Sequence, residues 1–501
     1  MEKPQDHLAE NGSVDLPPTR RQLLRLLAGL GIGSAVFQRA LAMAADKAKT
    51  ITAEMLQQAE WIAGLHLSED ERKALLDRLN RQQEHFETMR GVPLSNDISP
   101  ALSFNPAPWL SPCCEPIRRG AEPIAWAALK KPHAGDDLAF LPVTSLAALL
   151  RTRQVSSVEL TKLYLERLRK YDPILYCVVT LTDDLALKQA EQADREIAAG
   201  RYRGPLHGIP WGAKDLIAYP GYKTTWGAAP FKDQKIDTKA TVARRLEEAG
   251  AVMAAKLSLG ALAMGDRWFG GRTRNPWDPN SGSSGSSAGP GAATAAGLVG
   301  FSIGSETLGS IVSPSSVCGV SGLRPTFGRV SRHGCMTLSW SMDKLGPMCR
   351  SVEDCALVFA AIHGFDGLDP SAVDRPFSWP PRRDLHTIKV GYVEAEGAVK
   401  ERSELRVLRD LGVRLVPIKL PSRYPLDALR LILDTEAATV FDELTRKGIT
   451  EGLNAWPRIF RLGQLVPAVE YLRANRIRTL LMQAMEDVMA QVDLYVGGDD
   501  L

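Results

Sequence analysis

The chain has 501 residues, of which 45% are hydrophobic and 24% are charged, a composition typical of a soluble globular protein. Its 61 basic and 58 acidic residues leave a net charge of +3, which argues against nucleic acid or an anionic membrane surface as a partner. The 8 histidines form no cluster with the spacing of a metal site. The 7 cysteines are too few for a disulfide framework, although one or two disulfide bonds are compatible with an extracytoplasmic protein. We therefore expect no metal and no cofactor.

The first 45 residues have the pattern of an export signal. Arg20 and Arg21 precede a weakly apolar segment over 26–37, and small residues suited to cleavage follow between 40 and 44. An amphipathic helix or a membrane anchor is the alternative, but the apolar run is shorter than the roughly 20 residues that a membrane span needs. The pattern predicts a twin-arginine signal over 1–45, a periplasmic or extracellular protein, and no stable membrane anchor after cleavage.

Residues 46–135 differ from both neighbouring regions. Ser68 and Glu71 have the spacing of a capping box, and leucines behind them form an apolar stripe, which predicts a helix. The stretch over 91–135 is dense in proline and predicts a long irregular connection. We interpret 46–135 as an N-terminal helical extension joined by a wrapping loop.

From residue 136 onward, helical and strand patterns alternate. A helix capped at Ser156 is followed by one that ends at Gly200, and a third ends at Gly250 directly before an apolar strand over 251–255. This order is typical of an α/β domain with a mainly parallel or mixed sheet. A strand over 492–496 is followed almost at once by the end of the chain, which predicts that the 136–501 domain is truncated at its C-terminus.

Three polar positions interrupt apolar or small-residue surroundings in this domain. Lys214 ends a buried-looking strand, where a charge is costly unless it has a partner or a task. Ser286 lies in a Gly/Ser-rich loop, and Ser310 lies in a second polar loop. Between the loops the pattern predicts a short helix over 292–297 and a strand over 298–303. Taken singly, each position has an ordinary interpretation as a solvated lysine or a flexible connection.

Together these positions lie in motifs that resemble the amidase signature family, most densely over 204–363 within a likeness that spans 136–501. The matching motifs are Gly212-Ala213-Lys214-Asp215, the glycine-serine loop over 284–290, the second loop over 304–312, and two downstream segments over 318–331 and 341–347. The resemblance implies an α/β fold whose central mixed, twisted sheet is covered by helices on both faces.

The resemblance also implies a mechanism. Ser310 would be the nucleophile, Ser286 a bridging serine held in a cis peptide, and Lys214 the base. A serine hydroxyl needs a base, and a lysine serves only when burial lowers its pKa from about 10.4. Backbone N–H groups of the second loop would hold the oxyanion, and other polar side chains would support the site. The oxyanion residues are Thr307, Leu308, Gly309 and Ser310, and the supporting residues are Ser287, Glu306 and Asp343.

The expected activity is that of an amidase, which hydrolyses linear amides other than peptide bonds through an acyl-enzyme. Its substrate would be a small-molecule amide. Self-association into a homo-oligomer is compatible with the sequence. Four positions depart from the family pattern and indicate a divergent branch. They are Leu308 for glycine, Glu306 for aspartate, Val312 for arginine and Pro290 for serine.

Other residues compete with Ser310 for the role of nucleophile. The Gly-x-Ser-x-Gly pattern over 285–289 would make Ser287 the nucleophile of an α/β-hydrolase, but that motif needs a strand directly before it, and 275–279 cannot be a central strand. A Ser-His-Asp triad built on His333 or His363 lacks its sequence context. Cys318 is better explained as a small apolar position.

Two further functions stay open. One is the A subunit of a tRNA-dependent amidotransferase, which releases ammonia from glutamine and works with partner subunits in the cytoplasm, where an exported protein would not meet them. The other is a non-catalytic binding protein that has kept the fold.

Overall fold

The computed structural model describes most of the chain after the first 49 residues. The described ranges are 50–94, 101–102, 130–132, 135–380, 384–393 and 402–497. The chain divides into two compact units, Met1–Glu84 and His85–Leu501. The predicted signal over 1–45 and most of the predicted wrapping loop lie outside the described residues. Within the described ranges, none of the helices has an apolar stretch of the length and hydropathy that a bilayer span requires.

In the first unit, helix α1 (Ala53–Ala63) is followed by helix α2 (Glu69–Arg90), which continues into the second unit. The predicted capping box forms at the start of α2. The Ser68 N–H donates to Glu71 Oε2 at 2.8 Å, and the Glu71 N–H donates to Ser68 Oγ at 3.3 Å. The predicted stripe consists of Leu75, Leu76 and Leu79, of which Leu75 and Leu79 are buried, so the helix forms where the sequence predicts it.

The second unit contains the remaining helices. They are α3 (Gly135–Ala139), α4 (Val143–Arg151), α5 (Ser157–Leu175), α6 (Asp183–Ala198), α7 (Thr241–Glu248), α8 (Ala288–Ala295), α9 (Val312–Cys318), α10 (Val352–Ile362), α11 (Ser403–Asp410), α12 (Asp427–Val440), α13 (Asp442–Arg446), α14 (Trp456–Gly463) and α15 (Ala468–Met489). The predicted Ser156 cap is present, because its side chain accepts the N–H of Glu159 at 3.0 Å.

The strands of this unit form two larger sheets and two hairpins. They are β1 (Val178–Leu181), β2 (Pro210–Lys214), β3 (Val252–Leu257), β4 (Arg267–Trp268), β5 (Gly271–Arg272), β6 (Arg274–Asn275), β7 (Asp278–Gly282), β8 (Phe301–Glu306), β9 (Ser321–Gly322), β10 (Lys344–Cys349), β11 (Lys389–Val393), β12 (Arg414–Ile418) and β13 (Leu494–Val496). A parallel sheet of order β12-β11-β13 contains the strand predicted near the end of the chain.

The main sheet has the order β1-β3-β2-β8-β10-β9. Its central strands β3, β2 and β8 are parallel, whereas β1, β10 and β9 join antiparallel. The sheet is therefore mixed, as the sequence predicts. Because β2 and β8 are parallel neighbours, with Ala213 opposite Ile303, the residues that follow both strands meet at one edge of the sheet.

Helices cover both faces of this sheet. Successive side chains of a strand point to opposite faces, and β3 shows the consequence. Met253 packs in a cluster with Trp211, Phe301 and helices α4, α7 and α10. Val252 and Ala254 pack instead in a cluster with helices α6 and α8. The α/β fold with a covered mixed sheet is therefore confirmed.

The two elements between the serine loops exist, but their predicted bounds were wrong. Helix α8 begins before the predicted 292–297, and β8 overlaps the predicted 298–303 but begins and ends later. Pro290 fits in the first turn of α8, where a proline's missing N–H has no helical partner to lose. Strand β8 starts only where Phe301 pairs with Trp211 of β2, and the apolar residues before it lie in a buried turn.

Candidate active site

Lys214 is the last residue of β2 and has no exposed surface. Its Nζ lies 2.9 Å from Ser286 Oγ and 3.0 Å from Ser287 Oγ. It also lies 2.9 Å from Ser305 Oγ and 3.2 Å from the Ser305 carbonyl oxygen. All these partners are neutral oxygen atoms, and within the described ranges the amine makes no ion pair.

A second buried lysine provides a comparison. Lys256 on the neighbouring strand β3 also has no exposed side-chain surface, but its Nζ lies 2.7 Å from Asp215 Oδ1. Burial without a carboxylate partner lowers the pKa of Lys214 to about 7, although the negative charges of Asp343 and Glu306 oppose the shift. Lys214 therefore has a substantial neutral fraction near neutral pH.

Ser286 and Ser287 lie directly before the first residue of α8. The Gly285–Ser286 peptide is cis, as the resemblance implies for this position. Both serines are buried, and Ser287 Oγ donates to the Ser305 carbonyl at 3.0 Å while accepting the Ser305 N–H at 3.2 Å. The Ser287 N–H donates to the Ser310 carbonyl at 3.1 Å, which ties the first serine loop to the second.

The second loop follows β8 directly and leads into α9. Gly309 has a φ of 83°, a conformation that glycine adopts without steric cost. The N–H groups of Leu308, Gly309 and Ser310 donate to no acceptor in the described parts of the chain. Ser310 is half-buried, and its hydroxyl makes no hydrogen bond to another described residue, Ser286 included. The loop thus presents free donors beside a hydroxyl that substrate can reach.

Glu306 binds the end of this loop that leads into α9. Its Oε2 accepts the N–H of Ile311 at 2.8 Å and that of Val312 at 3.0 Å. Arg324 Nε lies 3.5 Å from Glu306 Oε1. Although valine replaces the family arginine at 312, Arg324 from a different segment of the chain places a cation beside this carboxylate.

Thr307 is bound by Lys344, the first residue of β10, and by Asp343 directly before it. Thr307 Oγ1 donates to Asp343 Oδ1 at 2.6 Å, and Asp343 Oδ2 accepts two further backbone N–H groups. Lys344 Nζ donates to the Thr307 carbonyl at 3.1 Å. Burial raises the pKa of Asp343 and lowers that of Lys344 to about 8. A cavity of about 20 Å³ lies among these three residues and Ser305, about the space of one water molecule.

Comparison with known proteins identifies the family. The amidase family profile matches residues 159–497, which is more than half of the chain. The chain belongs to the amidase signature family. This result agrees with the resemblance carried by the motifs around Lys214, Ser286 and Ser310.

Individual relatives come from two groups. The A subunit of the glutamyl-tRNA(Gln) amidotransferase of Chloroflexus aurantiacus is 36% identical over 399 residues, covering 72% of this chain and 82% of that protein. The protein of the same name from Caldanaerobacter subterraneus subsp. tengcongensis is 37% identical over 400 residues, with the same two coverages of 72% and 82%. A solved structure, the native peptide amidase from Stenotrophomonas maltophilia, is 30% identical with a TM-score of 0.62, covering 71% of this chain and 83% of its own.

The geometry bears on the other nucleophiles in this amidase-family chain. The hydroxyl of Ser287 is buried and bonded to Lys214 and Ser305, and the strand before it, β7, belongs to a two-stranded hairpin and not to the main sheet. Burial raises the pKa of the Cys318 thiol to about 12, so it is not a thiolate at neutral pH.

In the described ranges, no group of acidic, histidine and cysteine side chains is arranged to hold a metal ion.

Sequence reasoning missed Ser305 and Lys344. Ser305 lies beyond the end of the predicted 298–303 strand. Its position beside Lys214 depends on how β8 is paired with β2, which the sequence pattern does not specify. Lys344 was present in the downstream motif, but its contact is with a backbone carbonyl, and no side-chain pattern signals such a contact.

Proposed function

We propose that the chain is an amide hydrolase in which Ser310 is the nucleophile, Ser286 relays the proton and Lys214 is the base. The observation that carries this proposal is the environment of Lys214. It is a fully buried amine with a pKa of about 7, it lies 2.9 Å from Ser286 Oγ, and it has no carboxylate partner among the described residues. A neutral amine in contact with a hydroxyl is what activation of a serine requires.

In the first step, neutral Lys214 takes the proton of Ser286 as Ser286 takes the proton of Ser310. The Ser310 Oγ then forms a bond to the amide carbonyl carbon, and the carbonyl oxygen becomes an anion. The proton returns through Ser286 to the leaving nitrogen, the C–N bond breaks, and an ester on Ser310 remains. Water hydrolyses this ester by the same proton path in reverse.

The free N–H groups of the second loop support this cycle. Leu308, Gly309 and Ser310 offer donors without acceptors among the described residues, and we include Thr307 at the start of the loop in the proposed oxyanion hole. Removal of a single oxyanion-hole donor costs about 2.7–4 kcal/mol of transition-state stabilisation in related chemistry. The hydroxyls of Ser286 and Ser310 are not bonded to each other, and such catalytic hydrogen bonds often form only with substrate in place.

A second candidate function is a glutamine-hydrolysing subunit of an amidotransferase, which the names of the Chloroflexus and Caldanaerobacter relatives favour. It would use the same three residues but would need partner subunits. The similarity to a peptide amidase and the predicted export signal favour an enzyme that works on small linear amides by itself. Glutamine therefore belongs in the substrate panel beside neutral amides and esters.

The test compares the full chain with Ser310→Ala, Ser286→Ala and Lys214→Met on this panel. We expect each variant to lose roughly 10⁴-fold or more in kcat, because residues that act as one catalytic unit fail together. Ser281→Ala is the matched control, since Ser281 lies at the end of the hairpin before the same loop and its hydroxyl bonds to Asp278. We expect this variant to keep wild-type turnover.

Two results would contradict the proposal. Undiminished turnover by Ser310→Ala would remove Ser310 as the nucleophile. A wild-type chain that turns over no amide, ester or glutamine and takes no label from a fluorophosphonate would support the non-catalytic binding protein instead.

A further inference from the structure

The peptide group between Thr307 and Leu308 is held by its carbonyl oxygen. Lys344 Nζ donates to that oxygen at 3.1 Å, and the Thr307 side chain is fixed separately by Asp343 at 2.6 Å. Lys344 is opposite Glu306 in the β8–β10 ladder, so its side chain reaches past the end of β8 to the first residue of the loop. The loop is thus fixed at its entry from the neighbouring strand.

This contact sets the direction of an N–H group. The Thr307–Leu308 peptide is trans, and in a planar trans peptide the C=O and N–H bonds point in opposite directions. Because the carbonyl is directed at Lys344, the Leu308 N–H is directed away from it. That N–H has no acceptor in the described parts of the chain.

The charge of the amine acts in the same direction. Burial lowers the pKa of Lys344 to about 8, so in most molecules this side chain is an ammonium group at neutral pH. A charged donor on the carbonyl oxygen polarises the peptide and makes its N–H a stronger donor, as in other chains of hydrogen bonds. No such effect would follow from a lysine that faced solvent.

We propose that Lys344 is a positioning residue that aims and polarises the Leu308 N–H of the oxyanion hole through the Thr307 carbonyl. This inference rests on the proposed function, because it needs Ser310 as the nucleophile. It assigns a role to a side chain whose hydrogen bond is to the Thr307 carbonyl and not to the proposed triad.

A fluorophosphonate tests this role, because its reaction uses the activated nucleophile and the oxyanion hole but needs no proton donor for a leaving amine. The bond from Ser310 Oγ to phosphorus forms, the P–F bond breaks, fluoride leaves, and the serine proton passes through Ser286 to Lys214. Negative charge grows on the phosphoryl oxygen in the transition state. The maximal labelling rate and the concentration at half-maximal rate are measured separately, and mass spectrometry locates the label.

For Lys344→Met, we expect the maximal labelling rate to fall about 10–100-fold, less than for a deleted donor, with the half-maximal concentration changed by less than about 2-fold. Lys344→Arg, which keeps a cationic donor, should recover a large part of the rate. Lys239→Met is the matched control, since it removes a partly buried lysine that pairs with Glu247 away from the site. Its labelling rate should match the wild type.

Wild-type labelling by Lys344→Met, or a loss confined to the half-maximal concentration, would overturn the role of Lys344 and leave the proposed function standing. A wild-type chain without label on Ser310 would overturn both. If Lys344→Met does not fold, Lys344→Gln gives a second test. It keeps an N–H donor without the charge, so a rate between those of wild type and Ser310→Ala supports the proposal, and an unchanged rate contradicts it.

Discussion

Lys214 and Lys256 are two buried lysines on adjacent strands, and their partners differ in charge. Lys256 pairs with the carboxylate of Asp215, whereas Lys214 contacts only hydroxyl and carbonyl oxygens among the described residues. Burying an ammonium group without a counter-charge is costly, so the neutral amine is favoured at Lys214. The local partner, and not burial alone, distinguishes a structural lysine from a candidate base.

The pKa of Lys214 predicts the pH dependence of turnover. The proposed base is the neutral amine, so kcat/KM should rise as pH increases through about 7 and then level off. Asp343 is a negative charge that favours the ammonium form, so Asp343→Asn should lower the pKa of Lys214 and move the rise to lower pH. The measurement is kcat/KM for a neutral amide between about pH 5 and pH 9.

Asp366 provides the control for this prediction. Its carboxylate bonds to the hydroxyls of Ser331 and Thr241, and it is not among the charges that act on Lys214. Asp366→Asn should therefore leave the midpoint of the rise unchanged. A midpoint that stays fixed in Asp343→Asn, or that moves upward, would contradict the assignment of the rise to Lys214.

At the scale of elements, helix α8 places the first serine loop, and its glycines allow close packing. A Cβ added to Gly289 would lie 2.5 Å from the Ser258 nitrogen and 2.7 Å from the Cys177 carbonyl oxygen. Both atoms belong to the backbone and cannot rotate away. The first turn of α8, directly after Ser286 and Ser287, is therefore packed against rigid neighbours.

We predict that Gly289→Ala lowers both the melting temperature and kcat, although alanine favours a helix by about 1 kcal/mol over glycine. The cost of the clash should exceed this gain, in the range of about 1–3 kcal/mol for overpacking, and the shifted helix should misplace Ser286. Thermal unfolding and turnover are the measurements.

Gly291→Ala is the matched variant in the same helix. Its Cβ would lie 3.1 Å from the Pro314 carbonyl oxygen and 3.4 Å from Cys318 Sγ, so small shifts accommodate it. We expect a smaller loss than in Gly289→Ala. Equal effects of the two substitutions would show that helix packing at Gly289 does not place the serines.

The sequence predicted the alternation of helices and strands, the strand that ends at Lys214, and the two serine loops. It misplaced the start of α8, because glycine and proline are typical of a loop although here they fit the first turn of a helix. It misplaced β8, because the strand begins only where Phe301 pairs with Trp211. It also missed Ser305 and Lys344, because their contacts depend on strand register and on a backbone carbonyl. Short-range pattern predicts an element, whereas tertiary pairing decides which atoms meet.

At the scale of the whole molecule, the cellular compartment of the protein distinguishes the two candidate functions, an independent amide hydrolase and an amidotransferase subunit. We propose that residues 1–45, which lie outside the described residues, direct export. Arg20→Lys combined with Arg21→Lys should retain the protein in the cytoplasm, because the paired arginines define a twin-arginine signal. Cell fractionation followed by immunodetection measures the distribution.

Arg25→Lys is the control within the same leader, and it should leave export unchanged. If the double substitution does not alter the distribution, the export proposal fails. The amidotransferase function would then regain support, since the partner subunits that it needs work in the cytoplasm.

The sealed position of Lys214 has a consequence for chemical probes of this protein. A lysine whose amine is neutral near pH 7 normally reacts faster than other lysines with acylating or alkylating reagents. Lys214 has no solvent-exposed surface, so such reagents cannot reach its amine. In the proposed mechanism, Lys214 would act on substrate only by taking a proton through Ser286. Surveys that rank lysines by reactivity would therefore overlook Lys214, and we expect inhibitors of the proposed activity to react with the half-buried Ser310 instead.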